Sequence, residues 1–163
     1  MHSNKAIFFD RDGVLVHEDG EYTFTRQKLR INQNVPEFLA EVKKRGYLLF
    51  VITNQGGVGK GLYTKKEVAE MHTILAAEFE KAGVKMEKYL VCAHHPVSSN
   101  CLCRKPGSLL LERAIALYNL DVKASYLIGD RERDVQAAQR AGINPILITS
   151  NSSLFTILDK VKP

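Results

Sequence analysis

Ala6-Ile7-Phe8-Phe9-Asp10-Arg11-Asp12-Gly13 runs from four unbroken apolar residues straight into two acids spaced two apart. An apolar run without polar alternation predicts a strand covered on both faces, as in parallel sheets flanked by helices. Tyr47-Leu48-Leu49-Phe50-Val51-Ile52 repeats the design and ends in Thr53-Asn54-Gln55. Tyr89-Leu90-Val91, Ser125-Tyr126-Leu127-Ile128 and Pro145 to Ile148 complete a predicted set of strands. Helical patterns lie between them. Asn34 and Pro36 open one whose Phe38, Leu39 and Val42 share a face and which Gly46 closes. Thr64-Lys65-Lys66-Glu67 is a capping box ahead of Val68, Met71, Leu75 and Phe79, with Gly83 as the stop. Leu109 to Tyr118, and Val135 to Ala141 before Gly142, read as two more helices. Strands alternating with helices predict an α/β protein of three layers, α/β/α, with a mainly parallel sheet.

The chain has 163 residues, 45% hydrophobic and 25% charged, which is the composition of a single domain over 1–163. No stretch approaches the roughly 20 apolar residues that span a bilayer. Met1-His2-Ser3-Asn4-Lys5 leads into the first strand without the order of an export signal. A membrane protein, a secreted precursor and a disordered tail are therefore disfavoured. The net charge of +5 suits an anionic partner, but its bases are scattered, so a small phosphorylated metabolite is expected and nucleic acid is not. Three cysteines, Cys92, Cys101 and Cys103, sit close together, a pattern that fits metal binding in a reducing cytoplasm better than disulfides.

In sheets of this class ligands bind outside the carboxyl ends of the strands, so the residues after each apolar run are the informative ones. They are Asp10-Arg11-Asp12-Gly13, Thr53-Asn54, Arg104-Lys105-Pro106, and Gly129-Asp130 with Asp134. Singly, each is ordinary turn or capping chemistry. Jointly, carboxylates, a hydroxyl and a lysine at successive strand ends predict a Mg²⁺-dependent phosphate site, because hard oxygen ligands hold Mg²⁺ and the cations neutralise phosphoryl charge. The same four clusters, including Gly129-Asp130-Arg131-Glu132-Arg133-Asp134, resemble the motifs of the haloacid dehalogenase (HAD) superfamily of phosphatases. The resemblance spans nearly the whole chain and implies the Rossmann-like HAD fold. It implies that Asp10 is a nucleophile forming an aspartyl-phosphate and that Asp12 protonates the leaving oxygen and then activates water. It further implies Mg²⁺ on the Asp10 carboxylate, the Asp12 carbonyl and the Asp130 carboxylate. Thr53, Asn54 and Lys105 would stabilise the transferring phosphoryl group. For Asp134 three roles stay open: metal binding through water, orienting Lys105, or capping a helix.

Cys92-Ala93-His94-His95-Pro96, followed by Cys101-Leu102-Cys103, offers three thiolates and an imidazole, the complement of a closed structural Zn²⁺ site. The Cys-x-His spacing selects His94 over His95. Such a loop running into Arg104-Lys105-Pro106 resembles the branch that contains heptose 1,7-bisphosphate phosphatases and the histidinol-phosphate phosphatase domain. Within it, Thr53 to Thr64, rich in glycine, is similar to the heptose enzymes, whereas the short His94 to Cys101 spacing is similar to the histidinol-phosphate branch. The resemblance makes Arg104 a substrate contact, while Val14 and Val16 depart from its usual Thr and Asn. The glycines of residues 56–61 would allow close approach of substrate, or serve as a flexible connector. Glu18-Asp19-Gly20-Glu21 is a substrate-facing loop or a solvated acidic turn. Spacing between the motifs leaves no room for a large cap domain, so an open site is expected. The expected function is removal of the C7 phosphate of D-glycero-D-manno-heptose 1,7-bisphosphate by a monomer. L-histidinol phosphate is the alternative substrate, and an inactive zinc-stabilised binding module the alternative of another class.

Overall fold

The computed structural model describes residues 3–163, so the Met1-His2 part of the leader reading lies outside the described residues. Five strands form one sheet: β1 (Lys5–Phe9), β2 (Tyr47–Asn54), β3 (Lys88–Cys92), β4 (Tyr126–Gly129) and β5 (Asn144–Leu147), in the order β3-β2-β1-β4-β5. Every pairing is parallel, and β1 sits centrally with Phe8 in register with Phe50 on one side and Leu127 on the other. Alternate side chains of β1 serve different faces. Ile7 and Phe9 join Phe38, Leu39, Leu49, Leu75 and Phe79, whereas Ala6 and Phe8 join Phe50, Leu111, Leu127 and Ala137. Helices α1 (Val35–Lys44) and α3 (Lys65–Glu80) therefore cover one face, and α4 (Leu109–Tyr118) and α5 (Glu132–Ala141) the other. The Phe8 and Phe50 rings stack at 4.9 Å across the central strand pair. Truncating such a buried aromatic to alanine costs about 3–5 kcal/mol. No helix among the described residues is long and apolar enough to cross a membrane.

The differences from the sequence reading are local and have identifiable causes. Asn34 precedes α1 in a left-handed conformation at φ 60° and makes no side-chain capping bond, so the expected cap is not formed, and the helix opens at Val35 with Pro36 in its first turn. Thr64 does cap α3: its hydroxyl accepts from the Glu67 amide at 3.2 Å while Glu67 accepts from the Thr64 amide at 2.7 Å. This helix stops at Glu80, and Gly83 closes the following turn at φ 72°. Ser125, expected inside β4, instead brackets it, accepting from the Ala6 amide at 3.0 Å and donating to the Asp121 carbonyl at 2.6 Å. Helix α5 begins three residues earlier than its apolar periodicity indicates, because Asp134 accepts the Arg131 amide at 3.0 Å and organises a first turn. The first part of the glycine-rich stretch after β2 is not a flexible connector. It forms a short helix, α2 (Gly56–Gly59), packed so closely that a Cβ at Gly57 would meet the Tyr63 ring at 2.1 Å.

Candidate active site and metal centres

The carboxyl ends of β1, β2 and β4 bring their polar residues to one place. Asp10 follows β1 and is 3% exposed; Lys105 follows the cysteine-rich loop and is 1% exposed. The Lys105 ammonium lies 2.9 Å from Asp10 Oδ1 and 2.6 Å from Asp134 Oδ1, and donates to the Ile52 carbonyl at 3.1 Å. Burial opposes that charge, but the two carboxylates outweigh it and hold the ammonium above its ordinary pKa. Burial pushes Asp10 up to about 7 against the pull of Lys105, with Asp134 adding to the rise. Asp134 thus both pairs with Lys105 and caps α5, two of the three roles open for it.

Asp130, at the end of β4, has both carboxylate oxygens buried without a hydrogen-bond donor. Burial raises its pKa. Ligand atoms of Asp10, Asp130 and Asp134 all lie within 4.8 Å of one another. Orphaned, buried carboxylate oxygens facing a second buried acid are what a hard divalent cation satisfies, so the donor set fits Mg²⁺. Gly13 makes the approach possible. It sits at φ 82°, and a Cβ there would lie 2.3 Å from Asp130 Oδ2.

Asp12 is not part of that trio. Its carboxylate is gripped by the Arg11 guanidinium, with Nη2 3.0 Å from both Oδ1 and Oδ2, and accepts from Gln55 Nε2 at 3.0 Å. Its side chain is 27% exposed, so a buried cation and amide aim an acid that solvent and ligand can reach. Arg11 is wholly buried; it also donates to the Thr23 carbonyl at 2.9 Å and lies 3.5 Å from His72 Nε2. Burial, and then Arg11, push His72 down to about 3. Gln55 donates in addition to the Thr53 hydroxyl at 2.8 Å and accepts from the Tyr63 hydroxyl at 2.7 Å.

Neither Arg11 nor Gln55 stands out as a functional residue in the sequence. Arg11 looks like a spacer between acids, and Gln55 like the tail of a turn. Position alone was the available signal, since both adjoin strand ends.

Asn54 is brought beside Lys105 in a way the sequence does not disclose. Its Oδ1 accepts from the Lys105 amide at 3.0 Å and its Nδ2 donates to the Lys105 carbonyl at 3.1 Å. Both side-chain polar atoms therefore hold the lysine's backbone. Arg104 donates to the His94 carbonyl at 3.2 Å and lies beside Gly56.

Cys92, His94, Cys101 and Cys103 form a second cluster. Cys92 Sγ lies 3.6 Å from Cys101 Sγ and 3.2 Å from Cys103 Sγ, and His94 Nδ1 lies 3.5 Å from Cys92 Sγ and 3.2 Å from Cys103 Sγ. All four donor atoms lie within 4.8 Å of one another, and the separations of 3.2–3.6 Å are a few tenths of an ångström inside the roughly 3.5–3.8 Å edges of a tetrahedral Zn²⁺ site, so a small outward adjustment of the side chains accommodates the ion. His95 is outside the cluster, accepting from the Val97 amide at 3.2 Å.

The loop at 18–21 is more than a solvated turn. Asn151, left-handed at φ 63°, accepts from the Glu18 amide and donates to the Glu18 carbonyl, each at 2.8 Å. The Glu18 carboxylate holds Arg131 Nη2 at 2.7 Å, and Arg131 Nε stands 3.4 Å from Asp130 Oδ2. Between this loop and the start of α5 is a cavity of about 240 Å³ lined by Asp12, Glu18, Tyr22, Gln55 and Arg133, among others.

Residues 102–161 match the family model described as HAD-hydrolase-like. A D-glycero-beta-D-manno-heptose-1,7-bisphosphate 7-phosphatase of Helicobacter pylori is 33% identical over 93% of this chain and 87% of its own length. A D-glycero-alpha-D-manno-heptose-1,7-bisphosphate 7-phosphatase of Campylobacter jejuni is 33% identical over 90% of this chain and 83% of its own. The histidine biosynthesis bifunctional protein HisB of Blochmanniella floridana is 34% identical over 88% of this chain, which spans 41% of that protein. Among solved structures, the D,D-heptose 1,7-bisphosphate phosphatase of B. bronchiseptica, complexed with magnesium and phosphate, superposes with a TM-score of 0.85 at 26% identity, covering 90% of this chain and 82% of that one.

Proposed function

The chain belongs to the HAD-like hydrolase family, in the group of the heptose-1,7-bisphosphate 7-phosphatases, and on that premise we propose that it is a phosphomonoesterase removing the C7 phosphate of a heptose 1,7-bisphosphate. The observation that carries the reading is the buried ammonium of Lys105 bridging Asp10 and Asp134 next to the donor-free carboxylate of Asp130. That constellation meets phosphoryl charge with a fixed cation and presents a carboxylate nucleophile beside it.

Asp10 attacks phosphorus in line, forming an acyl-phosphate bond as the bond to the C7 oxygen breaks; Asp12 gives its proton to that oxygen. Asp12 then takes a proton from water, whose oxygen attacks phosphorus and returns the Asp10 carboxylate with release of phosphate. Arg11 and Gln55 keep the Asp12 carboxylate on station for both proton transfers. Thr53 and Lys105 donate to the transferring group, Asn54 holds the Lys105 backbone, and Arg104 contacts the substrate from the cysteine-rich loop. The Asp10 and Asp130 carboxylates and the Asp12 carbonyl would hold Mg²⁺, which when bound neutralises charge on the phosphoryl oxygens. Cys92, His94, Cys101 and Cys103 would hold a structural Zn²⁺, fixing the segment that continues into Arg104 and Lys105.

HisB is a relative of similar identity over most of this chain, so histidinol phosphate is the competing substrate. Phosphate release with Mg²⁺, measured side by side on heptose 1,7-bisphosphate and histidinol phosphate, tests the proposal. We expect kcat/KM to favour the bisphosphate, and Asp10→Asn to lower turnover by about a thousandfold or more while leaving a folded protein. Preference for histidinol phosphate would overturn the substrate. Full activity in Asp10→Asn would overturn the mechanism.

A further inference from the structure

The cavity beside Asp12 has an unbalanced charge. Its acids are all answered: Asp12 by Arg11, Glu18 by Arg131 at 2.7 Å, and Glu21 by Lys28. Arg133 also lines it, and among the described residues this guanidinium makes neither an ion pair nor a hydrogen bond. With the wall acids neutralised, the surplus charge of the cavity is a single positive one.

Its location is electrostatically unfavourable. Arg133 stands in the first turn of α5, where the aligned peptide dipoles disfavour a cation. Nearby Asp134 does not relieve it, being engaged by Lys105 and the Arg131 amide. An exposed arginine kept against the dipole, unpaired, and facing a cavity next to an acid at the proposed reacting centre calls for an anionic ligand. The planar fork of a guanidinium matches the oxygens of a phosphate.

We propose that Arg133 is a specificity-determining residue: it binds the second, non-reacting phosphate of a bisphosphate substrate in this cavity while the other phosphate lies at Asp10. The inference rests on the bisphosphate reading above and names the group that separates such a substrate from a simple monophosphate. The opposite wall is preorganised for it. Asn151 clamps the Glu18 backbone, and Glu18 holds Arg131 away from the cavity's free charge, so the anion meets Arg133 without first breaking an ion pair.

The test compares kcat/KM for heptose 1,7-bisphosphate and for p-nitrophenyl phosphate, which has no second phosphate, in the unmodified protein, Arg133→Ala and Arg133→Lys at one ionic strength. The expected result is a fall of about ten- to a hundredfold in the bisphosphate-to-monophosphate ratio for Arg133→Ala, carried by KM, with partial recovery in Arg133→Lys. An unchanged ratio overturns the assignment, as does an equal loss of kcat on both substrates, which would put Arg133 at the reacting centre. An unmodified protein that hydrolyses p-nitrophenyl phosphate without preferring the bisphosphate overturns the substrate reading and the Arg133 role together. A preference that survives Arg133→Ala overturns the Arg133 role alone.

Discussion

Arg11 and His72 form a buried pair that the order of motifs does not announce. Burial first, and the always-charged Arg11 guanidinium 3.5 Å away second, push the His72 imidazole down to about 3, where a free histidine would take its proton near 6.5. The unfolded chain therefore binds more protons below pH 6.5, and the stability associated with neutral His72 is complete above that value and lost as pH falls toward 3. Between pH 7 and pH 5 the loss is about 2 kcal/mol. Urea unfolding at the two pH values should show that difference shrinking by most of this amount in His72→Phe; equal pH dependence in the two proteins would count against a neutral His72. Asp10, Asp12, Thr53 and Asp130 were legible in sequence because each lies at or just past the end of an apolar run, which needs no tertiary knowledge to locate, and Lys105 because it closes the cysteine-rich loop that follows another such run. Arg11, Gln55 and Asn151 were not, because their value lies in partners far along the chain, such as Glu18 for Asn151.

The segment from Cys92 to Lys105 joins the thiolate cluster to the buried ammonium. Cys92 ends β3, Cys103 lies two residues before the buried ammonium, and Asn54 at the end of β2 grips the same lysine backbone. Cys101→Ser should lower bound zinc from about one equivalent per chain to well below it, lower the melting temperature, and reduce kcat/KM as Lys105 loosens. Elemental analysis with a thermal melt checks this, and a zinc-free unmodified protein would refute the centre. The cysteine spacing was readable because thiolates rarely gather in a polar loop without a task. Helix α2 was not, because glycine carries no helical signal; tight packing against Tyr63, visible only in three dimensions, selects it. Boundaries of α3 and α5 shifted for a similar reason, since caps and turns rather than apolar spacing set where those helices begin and stop.

At the scale of the molecule, one five-stranded sheet carries both clusters, the carboxylates near its centre and the thiolates at its β3 side. Dialysis against a chelator should bring phosphate release to background, and Mg²⁺ should restore it where Zn²⁺ alone does not, because the two clusters differ in donor softness. Turnover that persists through chelation would contradict the carboxylate centre. The alternation of strands and helices made this architecture readable from apolar runs alone, whereas the cavity beside Asp12 depends on loops whose course no periodicity encodes. The strand order has a consequence for the chain's birth. β1 is synthesised first yet occupies the middle of the sheet, and its neighbour β4 is encoded more than 100 residues later. At ribosomal rates of roughly 5–20 residues per second, Phe8 and Phe9 wait on the order of ten seconds for one of their two flanking strands. During that interval a nascent chain leaves one edge of an apolar strand exposed to whatever else is nearby, so the yield of this protein in a cell is expected to depend on the speed of translation through its second half and on chaperones that shield the first.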